Sequence, residues 1–172
     1  AFDQVLAAKK DKIILGGIEA LNRGMASFCS VDPRMYGTAY IPFAFGEVKA
    51  LEFLKEAIRL GFSAIMIDTI APEGKKAFTH PDFDIVWREI QENDITITLH
   101  VGADNGWDPV PLSFYNNGSQ VPAHKEGDAP RDALAYMGIS YNAELFPASM
   151  IFDDIFQRFP KLRVGVVELG AS

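Results

Sequence analysis

The chain has 172 residues, of which 48% are hydrophobic, and its 16 Lys and Arg against 23 Asp and Glu give a net charge of −7. This composition predicts one soluble globular domain with a sizeable core, and the negative charge argues against a surface for nucleic acid or for an anionic membrane. No apolar stretch approaches the roughly 20 residues needed to cross a bilayer. Because the single cysteine, Cys29, cannot form an internal disulfide, we expect a protein of the reducing cytoplasm.

Predicted helices and strands alternate along the chain. In chain order they are a helix around Ile18–Cys29, the strand Thr38–Phe43, the helix Glu47–Leu60, the strand Ser63–Asp68, the helix Pro81–Asn93, the strand Thr96–Val101, the helices Arg131–Tyr141 and Ser149–Phe159, and the strand Arg163–Glu168. Three of the four strands are near-continuous apolar runs, which predicts burial on both faces, as in a parallel sheet.

The spacing of apolar residues predicts which face of each helix is buried. The expected core residues are Val48, Leu51, Leu54 and Ile58 in the first full helix pattern, Phe83, Val86, Trp87 and Ile90 in the next, and Phe152, Ile155, Phe156 and Phe159 in the last. His80 is the predicted cap of the helix that starts with Pro81.

The order of elements is that of repeated βαβ units, which build a parallel sheet with helices. A doubly wound four-stranded sheet fits into 172 residues, and so does half of a (β/α)₈ barrel, because a whole barrel takes about 250 residues. The chain ends directly after a predicted buried strand with no helix to cover it. We therefore expect an α/β fold in which residues 1–172 form a single partial TIM-barrel domain of about four parallel strands with flanking helices, a fragment of a longer polypeptide.

Ionisable residues end three of the four predicted strands. Asp68, His100 and Glu168 each interrupt an apolar run at the carboxyl end of a strand, the edge at which parallel α/β folds carry their chemistry. Each also has a structural interpretation: His100 as a hydrogen-bonded histidine, Asp68 as a loop cap. A buried carboxylate is costly unless it is paired, hydrogen-bonded or bound to metal, so a partner is expected under either interpretation.

Two further residues in the loop after His100 are candidates for a substrate pocket. Trp107 can form a pocket wall, and His124 can reach a pocket, although an exposed loop histidine is the simpler interpretation. The sequence contains no G-x-S-x-G elbow, no phosphate loop and no dinucleotide-binding glycine motif after a strand.

Three segments carry a resemblance to a known family: ALNRGMASFCSVDPRMYGTAYIPF, HPDFDIVWREIQENDITITLHVG and FDDIFQRFPKLRVGVVELGAS. In order and spacing they resemble the middle of the amidohydrolase-related (amidohydrolase 2) family, which includes aminocarboxymuconate-semialdehyde decarboxylase and similar metal-dependent hydrolases and decarboxylases. The resemblance implies a (β/α)₈ barrel with one divalent metal, most commonly Zn²⁺, with Mn²⁺ as the other choice.

The resemblance also implies a ligand set for that metal. In the family it consists of a His-x-His pair on the first strand, a later strand-end histidine and an Asp on the last strand. Only the later histidine matches this chain, at His100; no His-x-His occurs in the sequence. Where the decarboxylases have His-Gly-Gly, this chain has Glu168-Leu169-Gly170, which places a carboxylate at a position implied to assist catalysis.

These observations predict a metal-dependent hydrolase or non-oxidative decarboxylase that acts on a small carboxylated or cyclic organic substrate. His100 is the expected metal ligand, Glu168 the expected general acid or base, and Asp68, Trp107 and His124 the expected substrate contacts. The alternative is a non-catalytic barrel that binds a small ligand or a partner subunit. The expected partner is a small molecule, not nucleic acid or a membrane, and a homodimer is left open.

Overall fold

The computed structural model describes residues 2–100 and 140–167. Four strands and five α-helices are present in these two ranges, together with two short 3₁₀ turns. In chain order they are α1 (Phe2–Cys29), β1 (Thr38–Ile41), a 3₁₀ turn (Phe43–Phe45), α2 (Glu47–Arg59), β2 (Ala64–Ile67), a 3₁₀ turn (Pro81–Phe83), α3 (Asp84–Glu92), β3 (Thr96–His100), α4 (Tyr141–Phe152), α5 (Ile155–Arg158) and β4 (Arg163–Val167).

The four strands form one parallel sheet in the order β1-β2-β3-β4. Each predicted strand is therefore confirmed. β1 and β2 are each two residues shorter than predicted, and the predicted ends of β3 and β4, at Val101 and Glu168, lie outside the described residues. Strands that are neighbours both in sequence and in space, joined by helical connections, are the repeating pattern of a (β/α)₈ wall. The predicted fold, part of such a barrel, is confirmed.

The two faces of the sheet differ in burial. One face, which we call the helix face, contributes fully buried apolar side chains to the core cluster: Ala39, Ile41, Ile65, Ile67, Ile97 and Leu99. The alternate residues point to the other face, which we call the open face, and there Tyr40, Met66 and Thr98 are only half-buried. Helices α2 and α3 pack against the helix face; the open face is the one that a (β/α)₈ wall turns towards the barrel interior, so the prediction of burial on both faces stays a prediction for the complete barrel.

Helix α3 packs as its sequence predicts. Val86, Trp87 and Ile90 are fully buried, and Phe83 lies beside them in the preceding 3₁₀ turn. The indole Nε1–H of Trp87 donates to the backbone oxygen of Phe78 at 3.0 Å, so the largest core side chain also has its polar atom satisfied. Apolar spacing in this segment was sufficient to identify the core face.

Helix α2 faces the core largely as predicted: Leu54 is fully buried, and Leu51 and Ile58 pack against the core as partly buried side chains. Val48, expected in the core, has 67% of its surface exposed, whereas Ala50, Leu54 and Ala57 form the buried stripe. The prediction is wrong for Val48 alone. Alanine is too small to stand out in an apolar pattern, and this is why the prediction included Val48 and omitted Ala50 and Ala57.

The predicted helix Ser149–Phe159 is two helices in the structure. Helix α4 ends at Phe152, Asp154 adopts a left-handed conformation with φ 57°, and α5 starts at Ile155. The break reorients the side chains: Phe152, predicted to be buried, is 83% exposed, whereas Ile155 and Phe159 are buried as predicted. The predicted helix Arg131–Tyr141 lies outside the described residues except at its end, where Tyr141 begins α4.

Helix α1 is longer than predicted but ends at Cys29 as expected. It covers the outer edge of β1, where the side chain of Asn22 makes two hydrogen bonds to the backbone of Tyr40. The Nδ2 group donates to the Tyr40 carbonyl and the Oδ1 atom accepts from the Tyr40 amide, both at 2.9 Å. Within the described ranges, no helix has both the length and the apolar character that a membrane span requires.

Candidate functional site

Two of the predicted site residues lie at the carboxyl edge of the sheet. Asp68 directly follows the last residue of β2, and His100 is the last residue of β3, where it pairs with Val167 of β4. Asp68 comes two residues after Met66 and His100 two residues after Thr98, so by strand alternation both side chains belong to the open face. Because β2 and β3 are neighbours in the parallel sheet, Asp68 and His100 lie at the same edge.

Asp68 is almost completely buried, with 2% of its surface exposed, and both of its carboxylate oxygens are bonded. The hydroxyl of Tyr40 on β1 donates to Oδ1 at 2.5 Å, and the amide of Ala44 donates to Oδ2 at 2.8 Å. Ala44 belongs to the 3₁₀ turn that connects β1 to α2. The carboxylate thus joins the end of β2 to its neighbouring strand and to the loop above it, and the partner expected for a buried carboxylate is present.

Burial controls the ionisation of this pair. Burial raises the pKa of Asp68 above its ordinary value, against the opposing effect of the hydrogen bonds from Tyr40 and Ala44, which favour the charged form. Burial, followed by the hydrogen bond to Asp68 and its negative charge, raises the pKa of Tyr40 as well. Tyr40 therefore keeps its proton at neutral pH and directs it to Asp68.

Asp68 has no cationic partner within the described residues: none of the ion pairs formed there includes it. Its two hydrogen-bond donors, a phenol and a backbone amide, are neutral. A carboxylate at this depth is more commonly balanced by a positive charge. The carboxyl edge of the sheet therefore carries a buried carboxylate after β2 and an imidazole at the end of β3.

His100 is the last residue of β3 and is half-buried, so its side chain stands at the carboxyl edge as predicted. The strand beneath it is anchored by the hydroxyl of Thr98, which donates to the backbone oxygen of Ile65 at 2.8 Å. A rigid strand end is a suitable support for a metal-ligating histidine. In ranges 2–100 and 140–167, no group of three or more His, Cys, Asp and Glu side chains is close enough to hold a metal ion.

The remaining sequence predictions divide into residues that the structure describes and residues that it does not. His80 accepts a hydrogen bond from the Asp82 amide at 3.2 Å and is the predicted cap. Glu168, Trp107 and His124 lie outside the described residues, and Glu168 directly follows Val167, the register partner of His100. Their roles stay predictions.

Sequence reasoning missed Tyr40. A signal was available, because a tyrosine hydroxyl inside a strand that is otherwise apolar needs a hydrogen-bond partner when it is buried. The identity of that partner depends on the register between β1 and β2, which the sequence did not provide.

No protein-family profile matches the chain, and no curated protein matches it. Solved structures do. The 2,6-dihydroxybenzoate decarboxylase from Rhizobium aligns with a TM-score of 0.65 at 16% identity over 90% of this chain and 45% of its own. For 5-carboxyvanillate decarboxylase LigW from Sphingomonas paucimobilis the TM-score is 0.55 at 17% identity, over 84% of this chain and 38% of that chain.

An amidohydrolase from Mycobacterium avium subsp. paratuberculosis K-10 gives a TM-score of 0.62 at 19% identity, over 78% of this chain and 32% of its own. The chain has the fold of these amidohydrolases and decarboxylases. The resemblance drawn from the three sequence segments is thereby confirmed for the fold, and the chain spans less than half the length of each of these structures.

Proposed function

We propose that the intact protein is a metal-dependent enzyme, a hydrolase or a non-oxidative decarboxylase, that acts on a small carboxylated or cyclic organic substrate. The single observation that carries this proposal is the position of His100 at the carboxyl edge of the sheet, the edge at which the buried Asp68 also lies. This edge is where (β/α)₈ enzymes gather their catalytic residues. The shared fold with amidohydrolases and decarboxylases supports the same reaction classes.

The residues at this edge fit a divalent metal. An imidazole such as that of His100 is a common ligand for zinc, and the Asp68 carboxylate at the same edge has no cationic partner among the described residues. When bound, such a metal polarises substrate oxygens. His100 would hold it, and the other ligands implied by the family resemblance are not among the described residues.

Each of the named residues has a different role in the proposed reaction. Strand β3 keeps the imidazole of His100 at a fixed position, and Tyr40 together with Ala44 keeps the Asp68 carboxylate in one orientation. Glu168, one residue past the register partner of His100, is suited to move a proton as a general acid or base. Trp107 and His124 are proposed as substrate contacts from the loop after His100.

Metal analysis of the intact, full-length polypeptide tests the proposal, with His100→Ala compared against His80→Ala. We expect about one equivalent of zinc or manganese in the wild type. His100→Ala should lose most of this metal and nearly all activity, yet retain its circular dichroism spectrum, since a strand-end side chain contributes little to the core. His80→Ala removes a histidine that caps a 3₁₀ turn and should retain the metal.

Full metal stoichiometry in His100→Ala would reject the proposal, and a wild type with no bound metal would favour the non-catalytic, ligand-binding barrel. Activity is followed as CO₂ release and as hydrolysis over a panel of small carboxylated and cyclic compounds. In the same assay Glu168→Gln, which keeps the side-chain shape, should lower kcat and leave the metal content nearly unchanged.

A further inference from the structure

Strand β1 lies at one end of the sheet, and a side chain bonds to its outer edge. Within residues 2–100 and 140–167, β1 has a strand partner on one side only, which is β2. On the other side, the side-chain amide of Asn22 in α1 accepts a hydrogen bond from the Tyr40 N–H and donates one to the Tyr40 carbonyl, both at 2.9 Å. A neighbouring strand would bond to the same two backbone groups. Asn22 therefore occupies the place of a strand.

The next outward-facing position along β1 lacks a donor. In a parallel strand the N–H and C=O of one residue point to the same side, and successive residues alternate between the two sides. Because the polar groups of Tyr40 face outward, those of Ala39 and Ile41 face β2, and Pro42, directly after the strand, is the next outward residue. Proline has no N–H and is confined to sheet edges for that reason. Two successive outward positions are thus unsuited to pairing with a strand.

The surroundings of Asn22 indicate that its amide serves this contact. Asn22 is almost completely buried, one helical turn after Ile18, which is also buried, and one turn before Ala26, which packs against the core. A buried polar side chain is costly unless it is hydrogen-bonded, and an apolar side chain would be sufficient for packing. The two bonds to the backbone of Tyr40 compensate for the burial of the amide.

We propose that Asn22 closes the outer edge of β1, so that no further strand, from the same polypeptide or from another molecule, hydrogen-bonds to β1 at Tyr40. Proteins protect sheet edges with a covering helix or with proline, because exposed backbone groups can pair with other chains. Helix α1 and Pro42 provide both forms of protection here. The strand that directs the Tyr40 hydroxyl to Asp68 is then held on its outer side by α1. This inference is independent of the proposed function, since it involves neither metal nor substrate.

A barrel with unbroken strand pairing is the competing arrangement. In that arrangement the strand that precedes β1 in the complete barrel bonds to Tyr40, and Asn22 has to release both backbone groups. The two arrangements therefore differ in the partner of one amide hydrogen, that of Tyr40.

Amide hydrogen exchange in the intact polypeptide, followed residue by residue by NMR, tests the proposal in Asn22→Ala. The variant removes both bonds, so the Tyr40 amide should exchange faster by about tenfold or more. The amides of Ala39 and Ile41, which face β2, should stay protected and thereby show that β1 remains in the sheet.

Asn93→Ala is the matched control. The Nδ2 group of Asn93 also donates to a backbone carbonyl, that of Glu89, at 2.9 Å, but its position is exposed. This variant should leave exchange at Tyr40 within about twofold of the wild type. An Asn22→Ala variant whose Tyr40 amide stays as protected as in the wild type would overturn the proposal, because another group would then hold that hydrogen.

A measurement on the wild type covers the case in which Asn22→Ala does not fold. A scalar coupling across the hydrogen bond, between the amide nitrogen of Tyr40 and the side-chain carbonyl carbon of Asn22, supports the proposal directly. A coupling from the same nitrogen to a backbone carbonyl carbon overturns it, since a strand would then be the partner of β1 at this point.

Discussion

The two faces of the sheet differ in role: the helix face forms the hydrophobic core, and the open face carries the candidate site. The helix face consists of aliphatic side chains that are completely buried against α2 and α3. The open face carries polar residues: Tyr40 on β1 donates a hydrogen bond to Asp68, which follows β2, and His100 ends β3 at the same edge of the sheet. Because side chains alternate along a strand, the same strands build the core and present the site.

Because the two faces differ in role, mutations on them should have different consequences for stability and for binding. A change on the helix face removes buried apolar surface and should lower the free energy of unfolding. A change on the open face should affect hydrogen bonds, charge and metal binding more than packing. Substitutions on each face, each compared with a substitution at an exposed position, test whether the two faces differ in this way.

The largest effect is expected for Trp87→Ala. Trp87 is fully buried, packs on Phe43 with ring centroids 5.2 Å apart and satisfies the Phe78 carbonyl. Its truncation leaves a large cavity and should lower the free energy of unfolding by about 3–5 kcal/mol, measured by urea denaturation. Ile85→Ala in the same helix, where the side chain is 41% exposed, is the control and should cost clearly less. Equal losses would mean that α3 does not pack as described.

A smaller effect is expected on the open face for Tyr40→Phe. The change removes the hydrogen bond to Asp68 and keeps the ring, so the buried carboxylate loses one of its two donors. In metal-free protein at neutral pH this should cost about 1–3 kcal/mol in the free energy of unfolding. The measurement is urea denaturation at several pH values.

The pH dependence of that cost follows from the charge on Asp68. The hydrogen bond from Tyr40 favours the ionised form, so its loss raises the pKa of Asp68 further above the ordinary value. The destabilisation should therefore be largest where Asp68 is ionised in the wild type and should shrink as the pH falls and the carboxyl group takes up a proton. Tyr36→Phe, at a tyrosine that is 83% exposed, should change little at any pH. A Tyr40→Phe cost that grows towards low pH would contradict the role assigned to this bond.

The sequence predicted the helix face better than the open face. Apolar runs located all four strands, and the large residues of α3 identified its buried side. The position of His100 at a strand end was also predictable, because a histidine that ends an apolar run is visible in the sequence. The pairing of Tyr40 with Asp68 was not, since residues 28 positions apart meet only once the register of β1 and β2 is set.

Two other errors have local physical causes. The break between α4 and α5 depends on Asp154, whose left-handed conformation is not encoded by any glycine or proline at that point. In α2 the apolar pattern counted only large residues, so it included the exposed Val48 and omitted Ala50 and Ala57, which are buried. The first error concerns backbone geometry and the second the packing of small residues, and apolar patterns specify neither.

The smallest effect is expected for Val48→Ala, which tests the observed orientation of α2. Val48 is 67% exposed, whereas Leu54 in the same helix is fully buried. Truncating Val48 should change the free energy of unfolding by no more than about 0.5 kcal/mol, because little buried surface is lost and alanine has the higher helix propensity. Leu54→Ala, measured in parallel by urea denaturation, should cost about 2–5 kcal/mol. If Val48→Ala proved as costly as Leu54→Ala, Val48 would belong to the buried face of α2, as the apolar pattern predicts.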